Sequence, residues 1–228
     1  MKKVISIVLI GSILLSGCSS MNQAGKGSFI GAGAGAALGA GVGAIFGKDG
    51  KSAAIGAAIG TAVGAGTGAV IGDVMDRKAK ELDEALAANV ETVTDINGLQ
   101  AIKVTFDNGI LFDTNKSNLS ESAKSELKTF AEQMQDLPDT QITVYGHTDN
   151  TGTAEVNERI SKQRADAVSA QLQSNGIAKT RIVAEGKSFN EPIADNSTAE
   201  GRAQNRRVEV YISANADMVK AAEEGTLK

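Results

Sequence analysis

Hydrophobic positions along this chain change their period several times, and each change marks an element. After Lys2-Lys3 an apolar run from Val4 to Leu15 is interrupted only by Ser6, Gly11 and Ser12. Glycines then recur every fourth residue, at 27, 31, 35, 39, 43 and 47 and again at 56, 60, 64, 68 and 72, among Ala, Val and Ile. From Asp73 to Asn89, Met75, Ala79, Leu82 and Leu86 follow a three-four spacing between charged residues, which predicts an amphipathic helix. Beyond it, strand and helix periods alternate. A short strand around Val90–Asp95 ends in an Asn97-Gly98 turn; Ile102, Val104 and Phe106 alternate with polar residues; and Asn108-Gly109 offers a tight turn before Ile110-Leu111-Phe112. Ser120 caps a helix with the stripe Ala123, Leu127, Phe130, Met134 and Leu137, stopped by Pro138. Ile142 and Val144 mark a strand. Thr153 then opens a helix whose apolar stripe is Val156, Ile160, Ala167, Val168 and Leu172, closed by Gly176. A strand at Arg181–Glu185, a short helix near Thr198–Ala203 and a last strand at Arg207–Ile212 follow. Helices between strands predict some parallel pairing, and the opening hairpin is antiparallel. The expected fold is an α/β (α+β-like) domain with helices on a mixed sheet, and about 120 residues suffice for its core.

The two N-terminal patterns belong to a different environment. The first apolar run is too short to span a bilayer and has the charged and apolar regions of a secretion signal. In the second, a spacing of four lines the glycines along one drifting ridge of a helix. Each glycine costs a soluble helix about 1 kcal/mol against Ala. In lipid that cost is offset, because small residues let membrane helices approach closely. Each half is about twenty residues long, enough for a hydrocarbon core of about 30 Å. Lys48-Asp49-Gly50-Lys51 makes a charged turn between them, so the segment reads as a helical hairpin joined by its glycine faces. Whether it spans the membrane, lies on it or only forms a homo-oligomer stays open. A phosphate loop at Gly50-Lys51-Ser52 is rejected, because the position five residues earlier is Ile45 rather than glycine.

Candidate chemistry concentrates in Gly146-His147-Thr148-Asp149-Asn150-Thr151-Gly152 and the helix after it. Asn157, Ser161 and Arg164 fall at i, i+4 and i+7 and share a polar face. A carboxylate in the turn and a guanidinium two turns into the helix suit a small zwitterion, with Asp149 taking an ammonium and Arg164 a carboxylate bidentately. Taken alone, such an Asp and Arg would more often be solvated surface charges. His147 is the only histidine and has no second His or Cys for a metal site.

Three motifs in order then raise a resemblance. HTDNTG…NERISKQRA, FDTNKSN at Phe112–Asn118 and GRAQNRRVEV at Gly201–Val210 resemble the OmpA-like peptidoglycan-binding domain over residues 105–213. The resemblance implies binding of the diaminopimelate residue of peptidoglycan stem peptides. By that resemblance the carboxylate of the Thr148-Asp149 motif and the helix arginine, Arg164, clamp the head group, with Asp113, Asn157 and the pair Arg206 and Arg207 also in the site. Only one of these two arginines can face a pocket from a strand entrance, and the other is expected in an internal salt bridge. Leu15-Ser16-Gly17-Cys18 resembles a bacterial lipoprotein signal, which implies acylation (palmitate) of Cys18, the only cysteine; Ser19 after it implies sorting to the outer membrane. The glycine repeat resembles the zipper segments of some outer-membrane proteins.

The expected organisation is a signal peptide at 1–17, a lipidated tether at 18–26, a glycine-zipper hairpin at 27–72, a helical linker with the first strand at 73–96, the binding domain at 97–215 and a tail at 216–228. The linker helix reads as a spacer or a pairing segment. The formal net charge of −4 gives no general attraction to nucleic acid, and the absence of Trp speaks against a stacked-sugar platform. Asp113 and Asp149 could both approach the pocket, but beside Arg164 they would stay ionised, which suits binding and not general-acid work. The chain is therefore expected to be a non-enzymatic envelope lipoprotein without cofactor or metal, anchored in outer-membrane lipid with its C-terminal domain in the periplasm. The competing expectation is a membrane-active oligomer, a pore or translocation element, built by the zipper and positioned on the wall by the C-terminal domain.

Overall fold

A computed structural model of the chain describes residues 64–107, 111–112 and 117–227. The signal, Cys18 and its tether, the glycine repeat up to residue 63, and Asp113 lie outside the described residues.

Five strands form one sheet in the order β1-β2-β5-β3-β4: β1 (Asn89–Thr94), β2 (Gln100–Asp107), β3 (Thr140–His147), β4 (Ile182–Ser188) and β5 (Arg207–Ala214). Only β3 and β4 are parallel; β1 with β2, β2 with β5 and β3 with β5 are antiparallel. Five helices accompany them: α1 (Ala65–Ala85), α2 (Glu121–Gln133), α3 (Ala154–Ser174), α4 (Ala199–Asn205) and α5 (Ala216–Glu223). The mixed sheet with helices is the fold class expected from the sequence. A helical crossover, α3, joins the parallel pair, as parallel strands require.

The core follows from register. Ile102, Ile212, Ile142 and Ile182 stand side by side across β2, β5, β3 and β4, and Val104, Val210, Val144 and Ala184 form the next row. The third row is Phe106, Val208, Gly146 and Gly186. Side-chain size thus falls to nothing where α3 crosses the sheet. A Cβ on Gly146 would stand 2.1 Å from the Ser161 backbone carbonyl oxygen, and one on Gly186 would stand 2.6 Å from the Lys162 backbone nitrogen. The helix backbone rests directly on these two strands. Its ends are set locally: the Thr153 hydroxyl accepts from the Val156 N–H, and Gly176 at φ +97° closes it, with the Ile177 N–H bonded back to the Leu172 carbonyl.

Four expectations need correction. The helix expected as a spacer begins at Ala65 and belongs to the domain. Its stripe of Ile71, Met75, Leu82 and Leu86 is buried in the common core against α5, β1 and β2. Buried Lys78 fastens it to the end of α2, donating to the Asp136 carboxylate at 2.8 Å and the Gln133 carbonyl at 2.9 Å. The tail is helix α5, which buries Met218, Val219 and Ala222 in the same core. Leu111 and Phe112 do not form a strand beside β2: Leu111 is helical and Phe112 makes an isolated bridge to Leu119, while the Asn108-Gly109 turn and Ile110 lie outside the described residues. Finally, the first half of α3 buries its polar face. Asn157, Ser161 and Arg164 are buried while Val156 is exposed, because the glycine pair draws Ser161 onto the sheet. Among the described residues no helix is long and apolar enough to cross a membrane.

Gly146→Ala should cost about 3 kcal/mol or more, the upper range for overpacking, since its clash is with backbone. Gly66→Ala, with nothing within 4 Å, should be neutral or slightly stabilising. Met218→Ala should cost about 2–5 kcal/mol if α5 is core rather than tail. Chemical denaturation of the three variants checks all of this.

Candidate binding site

The site forms where β3 runs out beside the start of α3. The pairing of β3 with β4 shifts register between Gly146 and His147, and the Thr148 N–H then donates to the Ser188 carbonyl at 2.9 Å. Beyond that bond the chain turns. Asp149 Oδ1 accepts from the Thr151 N–H at 2.8 Å, and Asn157 Nδ2 donates to the Thr151 carbonyl at 2.9 Å. Turn and helix are therefore tied together before any ligand arrives. An open cleft of about 740 Å³ lies between this turn, the polar face of α3, Phe112, and the Arg202–Arg206 end of α4.

Two guanidiniums and a carboxylate face one another there. Arg206 Nη1 donates to Asp149 Oδ2 at 2.6 Å. Burial alone would raise the Asp149 carboxyl, but the hydrogen bonds from Arg206 and Thr151 outweigh it and hold the group below its usual range. Arg164 is buried with its guanidinium 5.4 Å above the Phe112 ring centroid, and its Nε has no hydrogen-bond partner among the described residues. Burial first, and then the nearby charge of Arg206, lower its pKa from the ordinary value, with Asp149 partly offsetting them. An arginine stays charged regardless. The buried Thr148 hydroxyl also lacks a partner among the described residues and lines the cleft. The arrangement offers carboxylates for a cation, Asp149 beside Arg206 and Asp107 at the opposite lining, and a desolvated fork for an anion. Among the described residues no three His, Cys, Asp or Glu side chains could hold a metal ion.

Thr148, Asp149, Asn157, Arg164 and Arg206 thus share one cleft. Arg207 does not join them. Buried on the opposite face of the sheet, it donates from Nε to Glu209 Oε1 at 2.7 Å and from Nη2 to the Glu191 carbonyl at 3.1 Å. Strand alternation sends it there, and Glu209 is the partner of the internal salt bridge. Glu209 also accepts from the Tyr211 hydroxyl at 2.9 Å and lies 3.5 Å from His147 Nε2. Burial alone would raise Glu209, but His147 and Arg207 outweigh it and hold the carboxyl far below its ordinary value. His147 is buried behind the binding turn and belongs to this scaffold. Phe112, read from sequence as a strand residue, is a wall of the cleft; its place in the FDTNKSN motif was the available signal.

The OmpA family model matches residues 111–206, the stretch that carries all of the cleft's lining but Asp107. The match contains HTDNTG…NERISKQRA and FDTNKSN entire, and Gly201–Arg206 of the third motif. Residues 111–206 form an OmpA-family domain. A second model, the YMGG-like Gly-zipper, matches residues 1–76. The chain is 40% identical over 112 residues to the probable lipoprotein YiaD of Escherichia coli K12, covering 49% of this chain and 51% of that one. It is 36% identical over 113 residues to the peptidoglycan-binding protein ArfA of Mycobacterium bovis, covering 50% of this chain and 35% of that one. The chain therefore spans only about half or a third of these curated relatives. Among solved structures it is similar to the cell wall anchor of the T6SS from Pseudomonas aeruginosa, at 30% identity and a TM-score of 0.52, covering 62% of this chain and 97% of that one. A putative MotB-like protein from Desulfovibrio vulgaris, at 22% identity and a TM-score of 0.55, shares the fold.

Two outcomes follow from this geometry. Arg207→Ala should destabilise the OmpA-family domain by about 3 kcal/mol, because it leaves the buried Glu209 carboxylate without its guanidinium. Arg206→Ala should leave denaturant stability nearly unchanged, as its ion pair is partly solvated. The depressed pKa of Glu209 fixes the sign of its pH dependence. Its stabilisation is fully present above the ordinary carboxylate range and is lost as pH falls through the depressed value. The melting-temperature gap between wild type and Glu209→Gln should therefore be flat from neutral pH to about 5 and shrink only below about 4.

Proposed function

We propose that the cleft holds the side-chain head group of diaminopimelate, Asp149 taking its ammonium and Arg164 its carboxylate. On this reading the chain is a non-enzymatic lipoprotein, anchored through acylated Cys18, that ties the outer membrane non-covalently to peptidoglycan. The observation that carries it is the buried Arg164 guanidinium with its unpartnered Nε across a cleft from Asp149. Burying a charge without an ionic partner costs several kcal/mol, and a ligand carboxylate at the fork would recover part of that. Thr148 and Asn157 serve the same site, the first through its free hydroxyl and the second by holding the turn. Asp113, from the F-D motif beside the Phe112 wall, is included on family pattern alone. The names of ArfA and of the wall anchor from Pseudomonas aeruginosa support a wall-binding role. The zipper match supports a second, lateral function at the membrane, association of copies through the glycine ridge.

Sedimentation of the full chain with purified sacculi tests the clamp. Asp149→Ala and Arg164→Ala should each remain folded and lose retention, at a cost of about 2–5 kcal/mol. Arg164→Lys should also fail, since an ammonium cannot reproduce a bidentate fork. Wall material with lysine in place of diaminopimelate keeps the ammonium and removes the carboxylate. Wild type should hold it weakly, and Arg164→Ala should lose little further on it. Retention of either folded alanine variant at the wild-type level would sink the assignment.

A further inference from the structure

The Asp149–Arg206 ion pair stands where the clamp reading puts the ligand's ammonium. Of the two Asp149 oxygens, one is held by the Thr151 N–H and the other by Arg206 Nη1 at 2.6 Å. An arriving ammonium therefore meets a carboxylate that is already paired. Arg206 is able to move aside: its side chain is 39% exposed against 11% for Asp149, and Asp149 is its only side-chain partner among the described residues. Its displacement has a consequence for charge. Arg206 already acts on Arg164 as a like charge, and Arg202 stands at the same rim, tethered to the Asn196 and Ser197 carbonyls at 2.9 and 3.2 Å. Once Asp149 has turned to the ammonium, these three guanidiniums outnumber the carboxylates left to them, that of the head group and Asp107 in the cleft lining. A zwitterion is neutral in itself and leaves that excess in place.

We propose that Arg206 is an exchangeable arm, which leaves Asp149 when the ligand's ammonium arrives and takes a second carboxylate of the same ligand. Resting on the clamp reading, this deepens it to a ligand class: stem peptides with a free carboxylate on the residue before the diaminopimelate, in preference to those amidated there. An amide has no charge to neutralise and offers the fork one acceptor oxygen where a carboxylate offers two.

The test is calorimetric titration of the detergent-solubilised full chain with two synthetic peptides, L-Ala-γ-D-Glu-meso-diaminopimelate with the glutamate α-carboxyl free or amidated. Wild type should favour the free acid by about tenfold, the scale of one hydrogen bond to a charged group. Arg206→Gln, whose folding is checked by its melting temperature, should bind both peptides alike, at the level of the amidated one. Equal binding of the two peptides by wild type overturns the exchange. So does Arg206→Gln binding the free acid as tightly as wild type or more tightly, since Arg206 would then only compete for Asp149. Failure of the clamp itself is a separate result: wild type binds neither peptide, or Asp149→Ala binds both as wild type does.

Discussion

A guanidinium taken out of water, with no carboxylate of its own among the described residues, is the constraint on which this domain turns. Arg164 lies buried against the face of Phe112, with Asp149 already engaged by Arg206. A fold has little reason to keep such a charge for stability, because an apolar side chain would fill the space at less cost. The cation–π contact with Phe112 offsets only a small part of the desolvation. What the position offers is readiness: the fork is already dehydrated and held when an anion enters, so little ordering remains to be done on binding.

The rest of the architecture brings Arg164 to that place. Rows of isoleucine and valine fix the register of four strands, and the row nearest the site ends in Gly146 and Gly186. Their missing side chains admit the α3 backbone at Ser161 and Lys162, and the turn of helix that follows carries Arg164. The bond from Thr148 to Ser188 and the bond from Asn157 to Thr151 then set the height and direction of the turn that holds Asp149. Behind it, Arg207, Glu209 and His147 form a buried polar layer on the other face of the sheet, with half-buried Tyr211 beside them. The two consecutive arginines thus have opposite duties. Arg206 belongs to the cleft, and Arg207 holds the strand that carries it.

Much of this was legible in the residues, for definite reasons. Periods of two and of 3.6 located β2, α2, β3 and β5, and Thr153 and Gly176 marked both ends of α3, because caps and left-handed stops are local requirements. The polar face of α3 was visible as well, though not that it would be the buried one. Burial there depends on two glycines some 40 residues apart in sequence meeting one helix, which no local pattern reports. The same limit explains α1 and α5. An amphipathic stripe such as Ile71, Met75 and Leu82 states that a helix needs a partner, and not whether the partner is another copy, a membrane or the domain that follows. Phe112 was misplaced for a related reason: an apolar triplet after Asn-Gly reads as a strand until its neighbours are known.

The central claim is that Arg164 waits for a carboxylate, and its own Nε–H reports on that directly. In proton–nitrogen correlation spectra of the full chain, meso-diaminopimelate should shift and sharpen the Arg164 Nε–H resonance, with lysine leaving it almost unmoved. A resonance indifferent to diaminopimelate, or one that responds equally to lysine, would contradict the account.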